Sequence, residues 1–174
     1  VRKIFGTFYK FIVRFIRNNF SSRVTNLDNL DKKHYFDFDL DNLFINFNCD
    51  KGSVCYFGEQ KIKSHNYSIF YEKYFKNLRN KKLRILEIGS HEGKGLAAFY
   101  YFFQNAFLIG ANINPFQMKF HSKRIDEIYL DVSSKKILEN FSNYFNEGFD
   151  IIIDDASHNL RDILITLPIL FKRL

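Results

Sequence analysis

From Leu83 to Leu174, short apolar runs alternate with stretches of helical period, and this alternation limits the fold more than any other feature. LRILEIG (83–89), AFLIGAN (106–112), DEIYLDV (126–132) and FDIIIDDASH (149–158) read as strands. KGLAAFYYFFQ (94–104), PFQMKFHSK (115–123), SSKKILENFSNYFNEG (133–148) and NLRDILITLPILFKRL (159–174) read as helices. Pro115 suits a helix start, Ser133 or Ser134 a cap, and Gly148 a position just past a helix end. Strands that alternate with helices of this length make parallel βαβ units. The strand runs are nearly continuous in apolar residues, as expected when helices cover both faces of the sheet. The expected fold is therefore α/β, a doubly wound Rossmann-like parallel sheet.

Before this region, apolar residues at 67, 70, 71, 74, 75 and 78 have helical spacing, which gives residues 49–82 a helix and the character of a cap segment. Residues 21–48 are polar and rich in Asp and Asn, and read as a linker with one short helix at most. Residues 1–20 place Ile4, Phe5, Phe8, Phe11, Ile12, Phe15 and Ile16 on one half of a helical wheel, opposite Lys3, Lys10, Arg14 and Arg17. This basic amphipathic helix is too charged to span a bilayer and has no signal-peptide cleavage pattern. It suits docking on its own domain, on a second subunit in a homo-oligomer, or peripherally on an anionic membrane.

The net charge of +7 over 174 residues would suggest a nucleic-acid partner if it were spread over the chain. Residues 1–20 alone hold five basic residues and no acid, which leaves +2 for the rest. The remainder is not a nucleic-acid surface. Two cysteines, Cys49 and Cys55, with no metal-type spacing fit free thiols in a reducing, cytoplasmic setting, with a disulfide between them as the alternative. The abundance of Phe and Tyr, with no Trp, reads first as codon bias.

In an open α/β sheet, ligands bind beyond the carboxyl ends of the strands, and the loop after the first strand is glycine-rich. Gly89, Gly93 and Gly95 form G-x-x-x-G-x-G, neither the G-x-G-x-x-G of dinucleotide sites nor a P-loop. Glu87, two residues before the first glycine, would repel a pyrophosphate and suits a cationic or hydroxyl-bearing ligand. ILEIGSHEGKG resembles motif I of the class I S-adenosylmethionine-dependent methyltransferases, and the resemblance extends over residues 83–171 as four βα units in order. It implies that Glu87, Gly89, Ser90 and Gly93 border the methionine part and ribose of S-adenosylmethionine. It puts Asn112 at the ribose and Asp131 near the adenine, although Asp131 suits a helix cap equally.

Asp154, Asp155 and His158 close the fourth strand run and would face the same crevice. Adjacent carboxylates on a buried strand are costly unless they hold a cation or hydrogen-bond donors, and Mg²⁺ is one such cation. A histidine three residues on suits a general base. Alternatively, one aspartate caps the next helix and His158 is a surface residue. With D-K-G-S (50–53) and H-x-Y (65–67), the I-D-D-x-S-H ending resembles a bacterial subgroup of these enzymes that methylates macrolide sugars and polysaccharides. That resemblance implies Asp155 as metal ligand and His158 as catalytic base. Asp154 would support them on the cofactor side, and the substrate would be a small molecule or glycan.

Two departures qualify the resemblance. Asn112 stands where such enzymes commonly have a carboxylate, and so lacks its charge-assisted hydrogen bonds. Only four of the family's seven strands precede Leu174, and the subgroup's further metal carboxylates would follow it. The chain reads as a partial S-adenosylmethionine-binding domain over 83–174, truncated at its C-terminal side. A catalytically degenerate cofactor-binding or interaction domain is the rival reading. A nucleotide-dependent oxidoreductase fits the glycine spacing less well.

Overall fold

The computed structural model describes residues 24–174. The amphipathic helix expected over 1–20 lies outside the described residues. Strand β1 (Thr25–Asn26) precedes helices α1 (Lys32–Phe36) and α2 (Leu40–Asn46). A hairpin, β2 (Cys55–Phe57) and β3 (Gln60–Ile62), and helix α3 (Ser68–Phe75) follow. The remainder runs β4 (Arg84–Ile88), α4 (Lys94–Phe102), β5 (Phe107–Asn112), β6 (Phe120–His121), β7 (Ile125–Tyr129), α5 (Lys135–Tyr144), β8 (Ile151–Asp154) and α6 (Leu160–Leu170).

Four strands form one parallel sheet in the order β7-β5-β4-β8, all in the expected segments. From β4 the chain steps twice to one side and then crosses to the other. The carboxyl end of β4 is therefore the switch point where a doubly wound sheet opens a crevice. Leu86, Ile88, Ile109 and Ala111 pack one face against Leu138 and Phe141 of α5 and Leu170 of α6. Ile85 and Leu108 pack the other face against α4.

Helix α4 explains the segment expected to be a linker. Gly95 to Phe102 are all buried, so this helix is apolar around its whole circumference and the sheet can cover only one side of it. Helices α1 and α2 cover the other. Leu27, Leu40, Leu43 and Phe44 are wholly buried, and Phe44 meets Phe99 edge-on at 5.5 Å. Phe47 stacks on Tyr101 at 5.7 Å, while Tyr71 of α3 meets Phe99 at 5.8 Å. The aromatic excess is thus concentrated where cap and sheet interlock, whatever its codon origin. The stretch 24–48 is core material, and its polar residues make the caps: Asp31 accepts from Lys33 N and Asp39 from Asn42 N.

A second difference lies after β5. The helix expected from Pro115 is one 3-10 turn, Pro115–Gln117, and the chain then extends into β6. Lys119 accounts for this: its N–H bonds Glu92 O and its carbonyl accepts Thr25 N–H, so both groups are taken by distant partners. Strand β6 pairs in parallel with β1. Among the described residues no helix is long and apolar enough to cross a membrane.

Candidate active site

The carboxyl ends of β4 and β8 meet at the switch point. Gly89 leaves β4 with φ +79°, and a Cβ there would run into the backbone of Asp155 and Ala156. Glycine is needed for this close approach as well as for the turn. Gly93, at φ +78°, starts α4, and a Cβ on it would meet the Met118 side chain at 2.7 Å. Its role is to seat the loop against Met118, set back from the ligand-facing wall.

Two pockets adjoin here and share Gly89, His91 and Asp155. The first, of about 350 Å³, is polar, and its lining includes Lys51, Glu87, Ser90, Asp155 and His158 together with Tyr56, Phe57 and His65 of the cap. The second, of about 420 Å³, is more apolar, with Ile88, Ile113, Leu130 and Val132 in its wall and Asn112 and Asp131 beside them.

Glu87 is 1% exposed. Its Oε1 lies 3.2 Å from Lys51 Nζ, while Oε2 has no partner. Burial pushes its carboxyl up, and Lys51 opposes that without cancelling it. Ser90 Oγ is also buried without a hydrogen-bond partner. A carboxylate oxygen and a hydroxyl buried without partners are suited to a ligand that brings N–H or O–H donors.

Asn112 ends β5 and aims its amide at three acceptors, His91 O, Asn114 O and Gln117 Oε1, at 3.3 to 3.5 Å. Its own Oδ1 is free to accept from a ligand. Asp131 Oδ1 accepts from Ser133 N at 2.9 Å and Ser133 Oγ at 2.7 Å, so this residue organises a turn and also lines the apolar pocket. Ser134 occupies the N-cap position of α5 without a side-chain bond.

Asp155 accepts from Lys51 Nζ at 2.5 Å through Oδ2, and its Oδ1 lies 3.4 Å from His158 Nε2. His158 is exposed and held at φ +54°. Asp154 is exposed, and its Oδ1 accepts from Ala156 N at 3.3 Å. Neither aspartate caps α6: Asn159 does, accepting from Arg161 N.

The residue that sequence reasoning passed over is Lys51. It is 5% exposed and stands between Glu87 and Asp155. Burial works against its charge, but Glu87 and Asp155 outweigh it and hold the ammonium protonated. The signal was present in D-K-G-S, which the subgroup resemblance had singled out without a role. The same burial pushes the Cys49 thiol up to about 12, so it is not a nucleophile.

A divalent ion finds a poor donor set. Among the described residues no three His, Cys, Asp or Glu side chains are grouped to hold one, and Asp155 is already engaged by an ammonium.

No protein-family model matches the sequence, and no curated protein does. Solved structures do resemble it. The MycE methyltransferase of the mycinamycin biosynthetic pathway, in complex with Mg, SAH and mycinamycin VI, is 24% identical with a TM-score of 0.53. That match covers 78% of this chain and 33% of MycE. A second MycE structure, with Mg and SAH, is 25% identical at the same TM-score and is matched over 76% of this chain and 32% of its own. The chain thus spans about a third of the length of these enzymes. It carries, over that third, the Rossmann-like α/β fold of the S-adenosylmethionine-dependent methyltransferases.

Proposed function

We propose that the chain binds S-adenosylmethionine across the two pockets and transfers its methyl group to a hydroxyl of a sugar, on a glycosylated small molecule or a surface polysaccharide. One observation carries the reading. Asp155 stands at the junction of a polar pocket with an unpartnered glutamate oxygen and an apolar slot, with a histidine 3.4 Å from its free side. The unpartnered Glu87 Oε2 suits the cofactor's amino group, and the apolar slot suits a flat base with Asn112 and Asp131 at its edge. The likeness to MycE and the I-D-D-x-S-H ending support the sugar acceptor.

S-adenosylmethionine supplies a methyl group on a positively charged sulfur. Asp155 holds the imidazole of His158 at the mouth of the polar pocket. There Nδ1, the ring nitrogen left free by the contact of Nε2 with Asp155, takes the acceptor hydroxyl's proton as the oxygen forms its bond to the methyl carbon. When bound, S-adenosylmethionine would leave as neutral S-adenosylhomocysteine, its sulfur keeping the electron pair of the broken S–C bond, beside the ether product and a protonated imidazole. Asp155 stabilises that imidazolium. The Mg²⁺ expected from the subgroup resemblance enters no step, because Lys51 already engages the Asp155 carboxylate that would hold it.

Titrating S-adenosylhomocysteine into the wild-type chain and into His158→Ala tests this. Micromolar binding by both, with methyl transfer to glycoside acceptors lost in the variant alone, is the expected result. Transfer that survives in His158→Ala removes the base assignment. Asn112 favours a second reading, a cofactor-binding domain without catalysis, and this reading gains if binding is tight but no acceptor is methylated.

A further inference from the structure

D-K-G-S anchors its backbone on three sides and places the Lys51 ammonium at the carboxyl end of the sheet. The Asp50 and Lys51 carbonyls accept from His65 N at 2.8 Å and Ser68 N at 3.0 Å, so the start of α3 pins this backbone. Gly52 lets it lie against α2, where a Cβ would come 2.8 Å from Phe44 Cβ. Ser53 gives its N–H and hydroxyl to the two oxygens of Asp41 on the same helix, at 2.7 and 2.6 Å. Between these anchors the Lys51 side chain runs inward, and its Nζ meets Asp155 Oδ2 at 2.5 Å and Glu87 Oε1 at 3.2 Å.

An ammonium has three N–H donors and no acceptor. Two of them are aimed at carboxylates on neighbouring strand ends. A divalent oxygen-ligated ion would need several oxygens at about 2.0–2.6 Å. On either oxygen of Asp155 it would stand within about 5 Å of this full positive charge.

We propose that Lys51 is the resident cation of the site: its ammonium holds the place beside Asp155 and Glu87 that a divalent ion would need, and keeps such an ion off these two carboxylates. The inference deepens the proposed function and rests on it for the identity of the two carboxylates as cofactor-side and acceptor-side groups. In that setting Lys51 is a positioning residue. It fixes Asp155 through one oxygen so that the other faces His158, and its remaining N–H adds positive potential at the polar pocket.

The test is a titration of chelator-treated full chain with Mn²⁺, reading free Mn²⁺ by its paramagnetic resonance. Wild type, Lys51→Met and Lys51→Met/Asp155→Asn are compared. The wild type is expected to show no saturable site. Lys51→Met is expected to gain Mn²⁺ binding on the freed carboxylates, at least tenfold above the nonspecific uptake of the wild type, which the double variant loses. Saturable Mn²⁺ binding by the wild type that Asp155→Asn abolishes would overturn the proposal. So would the absence of any site in Lys51→Met, since the ammonium would then be excluding nothing. Circular dichroism checks folding, and Lys51→Gln, which keeps a donor for Asp155, is read in place of a Lys51→Met that does not fold. A parallel S-adenosylhomocysteine titration separates the two claims. Its failure with Mn²⁺ exclusion intact removes the cofactor reading, whereas the reverse pattern removes only the role of Lys51.

Discussion

Gly95 and Glu87 are matched across the start of α4: a methyl group on Gly95 would come within 2.5 Å of Glu87 Oε1 and 3.1 Å of Oε2. The third glycine of the loop therefore leaves space for a buried carboxylate. Gly95→Ala adds about 1 kcal/mol of helix preference, which offsets strain in the fold. The carboxylate must still move off its position. Stability close to wild type with S-adenosylhomocysteine affinity lowered about tenfold, or about 1.4 kcal/mol, is the expected calorimetric result. Unchanged affinity would mean that Glu87 does not touch the ligand.

Lys51→Met leaves Glu87 wholly buried with no opposite charge. Breaking a buried pair from one side costs on the order of 3 kcal/mol. Burial already raises the Glu87 carboxyl above its usual 4.5, and removing Lys51 raises it further. The folded variant then keeps a proton that the unfolded chain has lost. Its stability falls as pH rises from the usual glutamate value through the raised one. Urea denaturation should show a small deficit against wild type in acid and a large one at neutral pH. A deficit independent of pH would place the loss in packing.

Asp41 behaves in the opposite sense. Partial burial pushes it up, but hydrogen bonds from Ser53 and Ser68 outweigh this and hold its carboxyl below the usual 3.8. Its contribution is present above that value and fades as pH falls through the lowered one. Thermal melts of Asp41→Asn should therefore start from a lower midpoint at neutral pH and lose less than wild type on acidification. Parallel curves would show that the Ser53 clamp does not depend on charge.

Asn112→Asp sets two effects against each other. The variant loses three amide contacts of 3.3 to 3.5 Å, which are at the weak end of hydrogen bonding. It gains a charged acceptor for ribose hydroxyls, and such bonds are worth more than neutral ones by about 1 kcal/mol. The gain should win, with S-adenosylhomocysteine binding about fivefold tighter. Weaker binding would show that the amide's grip on the His91 loop matters more.

The sheet was legible because its strands are local patterns: each apolar run from Leu83 onward forms a strand in the expected order. Glu87, Asp155 and His158 were legible as a group because Glu87 lies one residue before the end of β4 and the other two follow the end of β8, and strand ends in such a sheet face one crevice. Lys51 was not, since its meaning comes from contacts with residues far along the chain that no local spacing records. The same holds for Leu27, Leu40 and Phe44. Residues 24–48 look like a linker until the fully apolar α4 is seen to need a second cover. The turn at Pro115 was misread because the bonds of Lys119 to Glu92 and Thr25, both distant in sequence, override the local helix start.

The contact between Gly89 and the Asp155 backbone also bears on redesign. Because the first glycine of the loop touches the strand end that carries the proposed base and its aspartate, a change made there to alter the choice of cofactor would shift both. Library positions for a modified cofactor belong instead at Asn112, Ile113, Leu130 and Val132, which line the apolar slot away from that contact. Acceptor scope is better sought in the cap, at Tyr56 and Phe57, whose side chains line the polar pocket without supporting either strand end. The two halves of the specificity can be varied separately only if position 89 stays glycine.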